Sequence, residues 1–280
     1  MTGDADSSDD VRHACGIAVM AKASCPGRTK TRLVPPLTFD EAASFNTAFL
    51  QDVAANIAAA DRGARARGGR IDCHMAFGPP GSEPFFRDIL PASVGLVEAW
   101  HPDFGDCLFA AIDKLLALGH GGAVVLNSDS PTLPTALLVE TAEVLARPGD
   151  RAVLGPSTDG GYYLLGLKAS HRRMFDDVAW STEAVARQTL DRAAEIGLDV
   201  HVLPAWYDVD DFAALRMLRS ELQDGISFAP GLVSHRATHS QELFDTLSRE
   251  TDLAQRLLAP RLDAGHLGNA ADLSIQRAAE

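Results

Sequence analysis

The chain has 280 residues, of which 46% are hydrophobic and 22% are charged, a composition typical of a globular protein with room for a sizeable core. Acidic residues outnumber basic ones by 38 to 25, and the formal net charge is −13. This charge argues against a general nucleic-acid-binding surface, although a local basic pocket is compatible with it.

The sequence carries no targeting or disulfide pattern that we recognise. The N-terminal segment MTGDADSSDD is acidic and polar, unlike a secretory signal, and no apolar run reaches the length of about 18 residues that a membrane-spanning helix needs. The four cysteines form no CxxC pair, which favours free thiols in a reducing compartment. We therefore expect a cytoplasmic protein that contacts neither membranes nor nucleic acids and that could form a homodimer.

Short apolar segments alternate with longer amphipathic segments along the chain. The short segments predict seven strands, at Cys15–Ala21, Arg70–Phe77, Ser93–Glu98, Ala123–Asn127, Ala152–Gly155, Tyr162–Leu167 and Asp199–Leu203. The longer segments predict five helices, at Phe39–Ala60, Phe104–Ala117, Pro134–Ala146, Thr182–Ile196 and Asp210–Gln223. This alternation predicts an α/β fold with a mostly parallel central sheet covered by helices, whose binding crevice lies at the carboxyl ends of the strands.

The alternation stops after Gln223. The remaining segment predicts two helices, near Ser240–Leu258 and Ala270–Ala278, and no strand. We therefore expect a disordered N-terminus over 1–12, one α/β domain over 13–223, and a helical extension over 224–280 that packs on this domain or on a neighbouring subunit.

The first motif is the loop KASCPGRTKTRL, which follows the first predicted strand directly. It carries four cations, which are Lys22, Arg28, Lys30 and Arg32. Gly27 allows backbone amides to approach a ligand, so the loop could hold the phosphates of a nucleotide. It is neither a Walker A loop nor a GxGxxG turn, and a solvated basic loop is the alternative.

The second motif, AVVLNSDSPTLP, places Asp129 at the end of a predicted buried strand. A carboxylate here could hold Mg²⁺ or Mn²⁺ against phosphate oxygens, because these ions prefer hard oxygen ligands. The alternative is that Asp129 only caps a turn.

The third motif, VLGPSTDGGYYLLGL, contains Asp159, Gly160 and Gly161. The glycines allow close backbone approach to a ligand, and an ordinary hairpin turn is the alternative. The following segment DVAWSTE contains Trp180, which could be a platform for a ring or could pack in the core, and Ser181 at a predicted helix start.

The fourth motif is WYDVDD, in which Asp208 and Asp210 are two residues apart and would face the same side of an extended segment. One of them could complete a metal site. Alternatively, Asp210 and Asp211 only cap the helix that follows.

The order of these four motifs resembles that of the GT-A-like nucleotide-diphospho-sugar transferase superfamily. The closest resemblance is to its DUF2064 branch, which includes the selenodomain-associated and arsenosugar-biosynthesis-type glycosyltransferases. The resemblance covers roughly Cys15 to Glu221, and PGRTKTRL and GPSTDGGYYLLGL are its most specific parts.

The resemblance implies a three-layer α/β/α fold that binds a nucleotide and a divalent ion, Mg²⁺ or Mn²⁺. It implies a phosphate-binding set of Lys22, Gly27, Arg28, Lys30 and Arg32. It implies Asp129 and Asp210 as metal ligands, Asp208 as a third, and Asp159 beside Asp129 as a catalytic carboxylate. Gly160, Gly161, Trp180 and Ser181 would meet the transferred group or the acceptor.

Two departures from the family pattern affect the expected acceptor. FGDCLFAAI keeps Gly105 and Asp106 of a GDLGxRM-like element but lacks its arginine, and the usual DTPEDL ending keeps only its first aspartate, as Asp210. We therefore predict a metal-dependent glycosyltransferase that acts on an unidentified small acceptor.

Three other functions compete with this prediction. A nucleotidyltransferase similar to 2-phospholactate guanylyltransferase would use the same phosphate-binding loop and metal, and a non-catalytic nucleotide-binding module would keep the fold alone. A zinc hydrolase built on His235 and His239 is disfavoured, because HRATH lacks the glutamate of HExxH and lies outside the predicted domain.

Overall fold

The computed structural model of the chain describes residues 14–258. Its strands are β1 (Ala14–Ala21), β2 (Arg70–Phe77), β3 (Gly95–Glu98), β4 (Gly122–Asn127), β5 (Ala152–Pro156), β6 (Tyr162–Leu167) and β7 (Val200–Val202). Its α-helices are α1 (Phe39–Arg65), α2 (Glu83–Ile89), α3 (Phe104–Ala117), α4 (Thr135–Ala146), α5 (Val185–Glu195), α6 (Phe212–Asp224), α7 (Thr238–Glu250) and α8 (Leu253–Leu258).

The seven strands form one sheet in the order β3-β2-β1-β4-β6-β5-β7. β6 is antiparallel to its neighbours β4 and β5, and the other strands run parallel to one another. The predicted α/β fold with a mostly parallel sheet is therefore confirmed. The chain crosses from β1 to β2 on one side and later returns to β4 on the other, so the ends of β1 and β4 flank the crevice expected of such a sheet.

The side chains of successive β1 residues are buried on opposite faces of the sheet. Ile17 and Val19 belong to a core shared with α1, α4, α6, α7 and α8, whereas Ala18 belongs to a second core shared with α3 and α5. Both faces of the strand are apolar because helices cover both sides of the sheet. The result is the three-layer α/β/α arrangement.

Most predicted elements lie within a few residues of the observed ones. Three helical parts of the structure differ from the prediction. α2 was missed, because it is only seven residues long and shows no sustained periodicity. The predicted helix Ser240–Leu258 is divided into α7 and α8, because Thr251 is extended and its hydroxyl accepts a hydrogen bond from the Leu253 amide. The predicted helix Thr182–Ile196 begins at Val185, after a turn in which the Thr182 hydroxyl donates to Ala179 O.

The described part of the predicted extension packs on the rest of the molecule. Phe244 of α7 lies against Phe45 of α1, with 4.7 Å between the ring centroids. Arg256 of α8 makes a bidentate ion pair with Glu41, whose side chain also completes the capping box of α1 with Thr38. The predicted N-terminal segment 1–12 and the predicted helix Ala270–Ala278 lie outside the described residues.

Two chemical predictions can be compared with residues 14–258. All four cysteines are free thiols, as their spacing predicts. No helix in this range is long and apolar enough to cross a bilayer.

Candidate active site

The basic loop between β1 and α1 has a defined backbone. The Cys25 carbonyl accepts hydrogen bonds from the Arg28 and Thr29 amides, at 3.0 and 3.1 Å, and from the Thr29 hydroxyl. Gly27 has a φ of +74° in this turn, a conformation that glycine adopts without strain. Asn46 of α1 holds the start of the loop by donating to the Lys22 carbonyl, so the cations are presented on an ordered turn.

Lys30 points away from solvent and bridges two of the predicted metal ligands. Its Nζ lies 2.7 Å from Asp129 Oδ1 and 2.7 Å from Asp210 Oδ1, and it also donates to the Val209 carbonyl at 2.9 Å. Only 5% of the Lys30 side chain is exposed. Burial by itself lowers the pKa of this ammonium, but the charges of the two carboxylates and the hydrogen bonds to them outweigh burial, and the pKa is raised.

The extended segment before α6 brings the distant carboxylates together. The Val209 amide donates to the Asp129 carbonyl at 2.8 Å, and the Ser130 hydroxyl donates to the Tyr207 carbonyl at 2.8 Å. On its other side, the carbonyl of Trp206 accepts from the Thr158 amide. Asp129, Asp208 and Asp159 therefore reach one crevice from three separate segments.

Asp208 is the carboxyl group of this cluster whose pKa is raised most clearly. Burial, and then the charges of Asp159, Asp210 and Asp129, raise its pKa to about 7. The cluster is therefore short of positive charge even with Lys30 in place. Asp211, by contrast, is the N-cap of α6, where its side chain accepts a hydrogen bond from the Ala214 amide, so the capping alternative applies to Asp211 and not to Asp210.

The DGG motif forms a turn that packs against the start of α5. Asp159 Oδ1 accepts from the Gly161 amide at 2.9 Å, and the Gly160 carbonyl accepts from the Ala186 amide at 2.9 Å. Gly160 has a φ of +91°, and a Cβ at this position would lie 2.2 Å from the Glu183 carbonyl oxygen. This close contact places Asp159 beside the Ser181–Glu183 segment.

Two adjoining cavities open at this edge of the sheet. One, of about 340 Å³, is lined by the basic loop, with Lys22, Arg28, Lys30 and Arg32 among its residues. The other, of about 440 Å³, is lined by Asp159, Asp208, Trp180 and Tyr162, among others. Arg32, Asn127, Asp129 and Asp210 line both, so the carboxylate pair bridged by Lys30 lies on the boundary between a basic and an acidic cavity.

Aromatic rings form one wall of the acidic cavity. Trp180 contacts Phe104 and Tyr162 edge to face, with 5.7 and 6.4 Å between centroids. Gly105 allows this arrangement, because a Cβ there would lie 2.6 Å from Trp180 Nε1. Asp106, the residue after Gly105, points elsewhere and pairs with Arg172 at 2.6 Å.

Every predicted site residue except Gly27 and Gly160 lines one of these two cavities. Lys22, Arg28 and Arg32 are exposed and make no ion pair with any residue in the range 14–258, so their charges are available to a ligand. The His235 ring contacts the Pro131 carbonyl and the Ala237 amide through Nδ1, and the backbone amide of His239 donates to Asp52.

Three of the lining residues that the motifs do not single out have side chains that matter for the site. The sequence predicts Phe104 in a helix and Tyr162 in a strand but gives neither a role, although each begins its element at the crevice end. Asn127 was the last residue of a predicted strand, and its Oδ1 is buried without a hydrogen-bond partner. A polar residue that ends an apolar strand was the available signal for Asn127.

The carboxylate pair fits a hard divalent cation in its donor chemistry. Asp129 and Asp210 direct one oxygen each at a single cation, and carboxylate oxygens are ligands that Mg²⁺ and Mn²⁺ prefer. No group of three acidic, histidine or cysteine side chains within residues 14–258 is already arranged to hold a metal. The structure therefore offers two convergent ligands, with Asp208 nearby on the same segment as Asp210.

Sequence and fold comparisons agree with the predicted resemblance. Residues 62–182 match the family described as "Uncharacterized protein conserved in bacteria (DUF2064)". No curated protein matches the chain in sequence.

Many solved structures share its fold, including the following two. A protein from Desulfovibrio desulfuricans G20, described as a "putative nucleotide-diphospho-sugar transferase", superposes with a TM-score of 0.71 at 24% identity, over 87% of this chain and 98% of its own. A cytidylyltransferase from Leptospira borgpetersenii superposes with a TM-score of 0.50 at 11% identity and covers 86% of this chain and 96% of its own. The DUF2064 resemblance predicted from the motifs is therefore confirmed over residues 62–182, and the chain shares its fold with both of these structures.

Proposed function

We propose that this protein is a metal-dependent transferase that uses a nucleotide-sugar donor and a small-molecule acceptor. One observation supports it above the others: a basic cavity and an acidic, aromatic cavity meet at Asp129 and Asp210, at the carboxyl ends of β1 and β4. A donor spanning this boundary would place its diphosphate on the basic side and its sugar on the acidic side.

The unpaired cations of the loop suit a diphosphate. Lys22, Arg28 and Arg32 lie around one cavity, and the backbone of their loop is fixed by the hydrogen bonds to Cys25. Fixed cations that need no reorganisation stabilise the charge that develops on a leaving diphosphate. Arg32 lines both cavities and would lie nearest to the bond that breaks.

Asp129 and Asp210 would hold Mg²⁺ or Mn²⁺, with Asp208 as the third carboxylate. When bound, the ion would neutralise phosphate charge and so assist departure of the leaving group. No other described side chains direct two carboxylate oxygens at one cation in this crevice.

The acidic cavity would receive the acceptor and the sugar. The acceptor hydroxyl oxygen would attack the anomeric carbon, the bond from that carbon to the diphosphate oxygen would break, and the nucleoside diphosphate would leave. Asp159 is exposed in this cavity, and its second carboxylate oxygen is free to take the hydroxyl proton. Trp180, Phe104 and Tyr162 would exclude water and pack against a ring of the sugar or acceptor.

Nucleotidyl transfer is the second candidate, favoured by the number of cations in the loop. With a nucleoside triphosphate, the acceptor oxygen would attack the α-phosphorus and pyrophosphate would leave. The released product separates the two reactions, because glycosyl transfer releases a nucleoside diphosphate.

The test is an activity assay of the full-length protein with a panel of nucleotide-sugars and nucleoside triphosphates, with and without Mn²⁺. We expect release of nucleoside diphosphate that requires Mn²⁺ and falls about 100-fold or more in Asp129→Asn and Asp159→Asn. The matched control is Asp88→Asn, which changes an exposed aspartate on α2 that lines neither cavity and should keep full activity.

Each other outcome has a defined meaning. Pyrophosphate release would favour the nucleotidyltransferase. Thermal stabilisation by nucleotide without turnover of any donor would indicate a binding module, because a ligand of the folded state raises stability whether or not it reacts. Absence of binding and turnover across the whole panel would refute the proposal.

A further inference from the structure

Lys30 already contacts one oxygen of each carboxylate to which we assign the metal. Its ammonium has three N–H groups and three acceptors, which are Asp129 Oδ1, Asp210 Oδ1 and the Val209 carbonyl oxygen. The group is 95% covered at the side chain, and the Phe49 ring lies 5.5 Å from Nζ. Lys30 is therefore a built-in counter-ion and not a solvated loop cation.

A metal ion and this ammonium would repel each other if both contacted the same two carboxylate oxygens. A Mg²⁺ ion lies about 2.1 Å from its oxygen ligands, so an ion on both Oδ1 atoms would come within about 4 Å of Nζ. At that separation the two cations repel each other, and the Lys30 side chain is too deeply buried for water to screen its charge fully. A metal ion on these two oxygens would therefore favour departure of the ammonium.

The adjoining basic cavity gives Lys30 a place to go. Lys30 lines that cavity together with Lys22, Arg28 and Arg32, and its long side chain rotates about four bonds. Phosphate oxygens in the same cavity would replace the carboxylates as its partners. Its backbone is in the left-handed region, with a φ of +52°, which fixes the point from which the side chain turns.

We propose that Lys30 and the divalent ion compete for Asp129 and Asp210, and that metal binding displaces Lys30 from the carboxylates into the phosphate cavity. This inference rests on the proposed metal site. It makes Lys30 the residue that couples donor binding to metal binding, since a phosphate in the basic cavity stabilises the displaced ammonium.

The test measures binding of Mn²⁺ alone to the full-length protein, without nucleotide, by electron paramagnetic resonance of the free ion. We expect Lys30→Met to bind Mn²⁺ about tenfold tighter than the unmodified protein, because the competing ammonium is gone. Lys22→Met is the matched control, since it removes one positive charge from the same loop but not from the carboxylates. Its affinity should stay within about twofold of the unmodified protein.

Asp129→Asn separates failure of this inference from failure of the metal site itself. If Asp129→Asn weakens Mn²⁺ binding but Lys30→Met binds no tighter than the unmodified protein, the competition is refuted and the metal site stands. If Mn²⁺ binding is indifferent to Asp129→Asn, the metal site of the proposed function is refuted first.

A measurement on the unmodified protein covers the case in which Lys30→Met does not fold. Acetylation of lysines, read by mass spectrometry, should be slow at Lys30 without metal and severalfold faster in saturating Mn²⁺, while Lys22 is labelled equally in both. Unchanged labelling of Lys30 at full Mn²⁺ occupancy would overturn the inference.

Discussion

Gly160 and Gly161 are neighbours in the chain, but only one of them requires glycine on backbone grounds. Gly160 has a φ of +91° and no space for a Cβ, since that atom would lie 2.2 Å from the backbone oxygen of Glu183. Gly161 does not have a positive φ, and its Cβ would come 3.1 Å from the Asp159 side chain, which can rotate. The pair therefore offers a matched test of the turn.

Gly160→Ala should destabilise the protein by about 2–4 kcal/mol, because it combines a strained backbone with a clash against main-chain atoms. It should also reduce any transferase activity, since the turn positions Asp159. Gly161→Ala should cost less than about 1 kcal/mol. Urea denaturation measures both values, and equal destabilisation by the two variants would contradict this account.

Single residues of the site differed in how predictable they were. Asp129, Asp159 and Asp208 could be selected from sequence because each follows an apolar strand or precedes a helix, at the edge where a parallel sheet binds ligands. The contact of Lys30 with Asp129 and Asp210 could not, because its partners are about 100 and 180 positions away and the loop alone predicts four equivalent cations.

Helix α7 illustrates an element that depends on a neighbouring helix for its first turn. Its N-cap position is Ala237, whose side chain cannot accept a hydrogen bond. Asp52 of α1, which is fully buried, accepts instead from the His239 and Ser240 amides and from the Ser240 hydroxyl. Burial raises the pKa of Asp52 in spite of these hydrogen bonds.

Asp52→Ala should therefore destabilise the protein by about 3 kcal/mol, because it leaves buried donors of α7 without a partner. Ser240→Ala removes only the hydroxyl and should cost about 1 kcal/mol. Chemical denaturation with limited proteolysis measures both effects, and the first variant should open cleavage sites between α6 and α7. Equal stability of Asp52→Ala and the unmodified protein would exclude this role.

The elements themselves follow from local pattern. The long helices show apolar periodicity and the buried strands are continuous apolar runs, so their existence and order could be predicted. The missed helix α2 has only seven residues, and the division between α7 and α8 depends on one hydroxyl of Thr251. Apolar periodicity needs about three helical turns to be recognised, so it predicts neither a seven-residue helix nor a break set by one hydrogen bond.

A buried histidine pair that the proposed function does not use should influence how the stability of the fold depends on pH. His120 Nε2 and His74 Nε2 lie 3.2 Å apart between the sheet and the loop before β4. Burial, and then the neighbouring His120, lower the pKa of His74 to about 4, and burial lowers the pKa of His120 as well. Both rings are therefore neutral in the folded protein near pH 7.

Stability supplied by this pair should be present above about pH 6.5 and should be lost as the pH falls toward about 4, because the unfolded chain takes up the protons first. Asp208 acts in the opposite sense, since its raised pKa makes the folded state take up a proton as the pH falls below about 7. The contribution of the histidines to the pH dependence must therefore be separated from that of Asp208 by comparing variants.

His74→Gln should be less stable than the unmodified protein at pH 8, and the difference should shrink between about pH 6.5 and 4 by up to about 1.4 kcal/mol per pH unit. Urea denaturation at several pH values measures it. His101→Gln, which replaces an exposed histidine, is the control and should keep the original slope. A difference that is independent of pH would contradict neutral burial of His74.

The sequence alone determined the α/β class, the order of the elements and the family resemblance, because these depend on local periodicity and on motifs of adjacent residues. Only the tertiary structure decided that Asp129, Asp159 and Asp208 share one crevice, where a basic and an acidic cavity meet. It also decided that Lys30 bridges Asp129 and Asp210. The reason is physical: which charge neutralises which depends on distances between segments that are far apart in the chain, and only folding sets those distances.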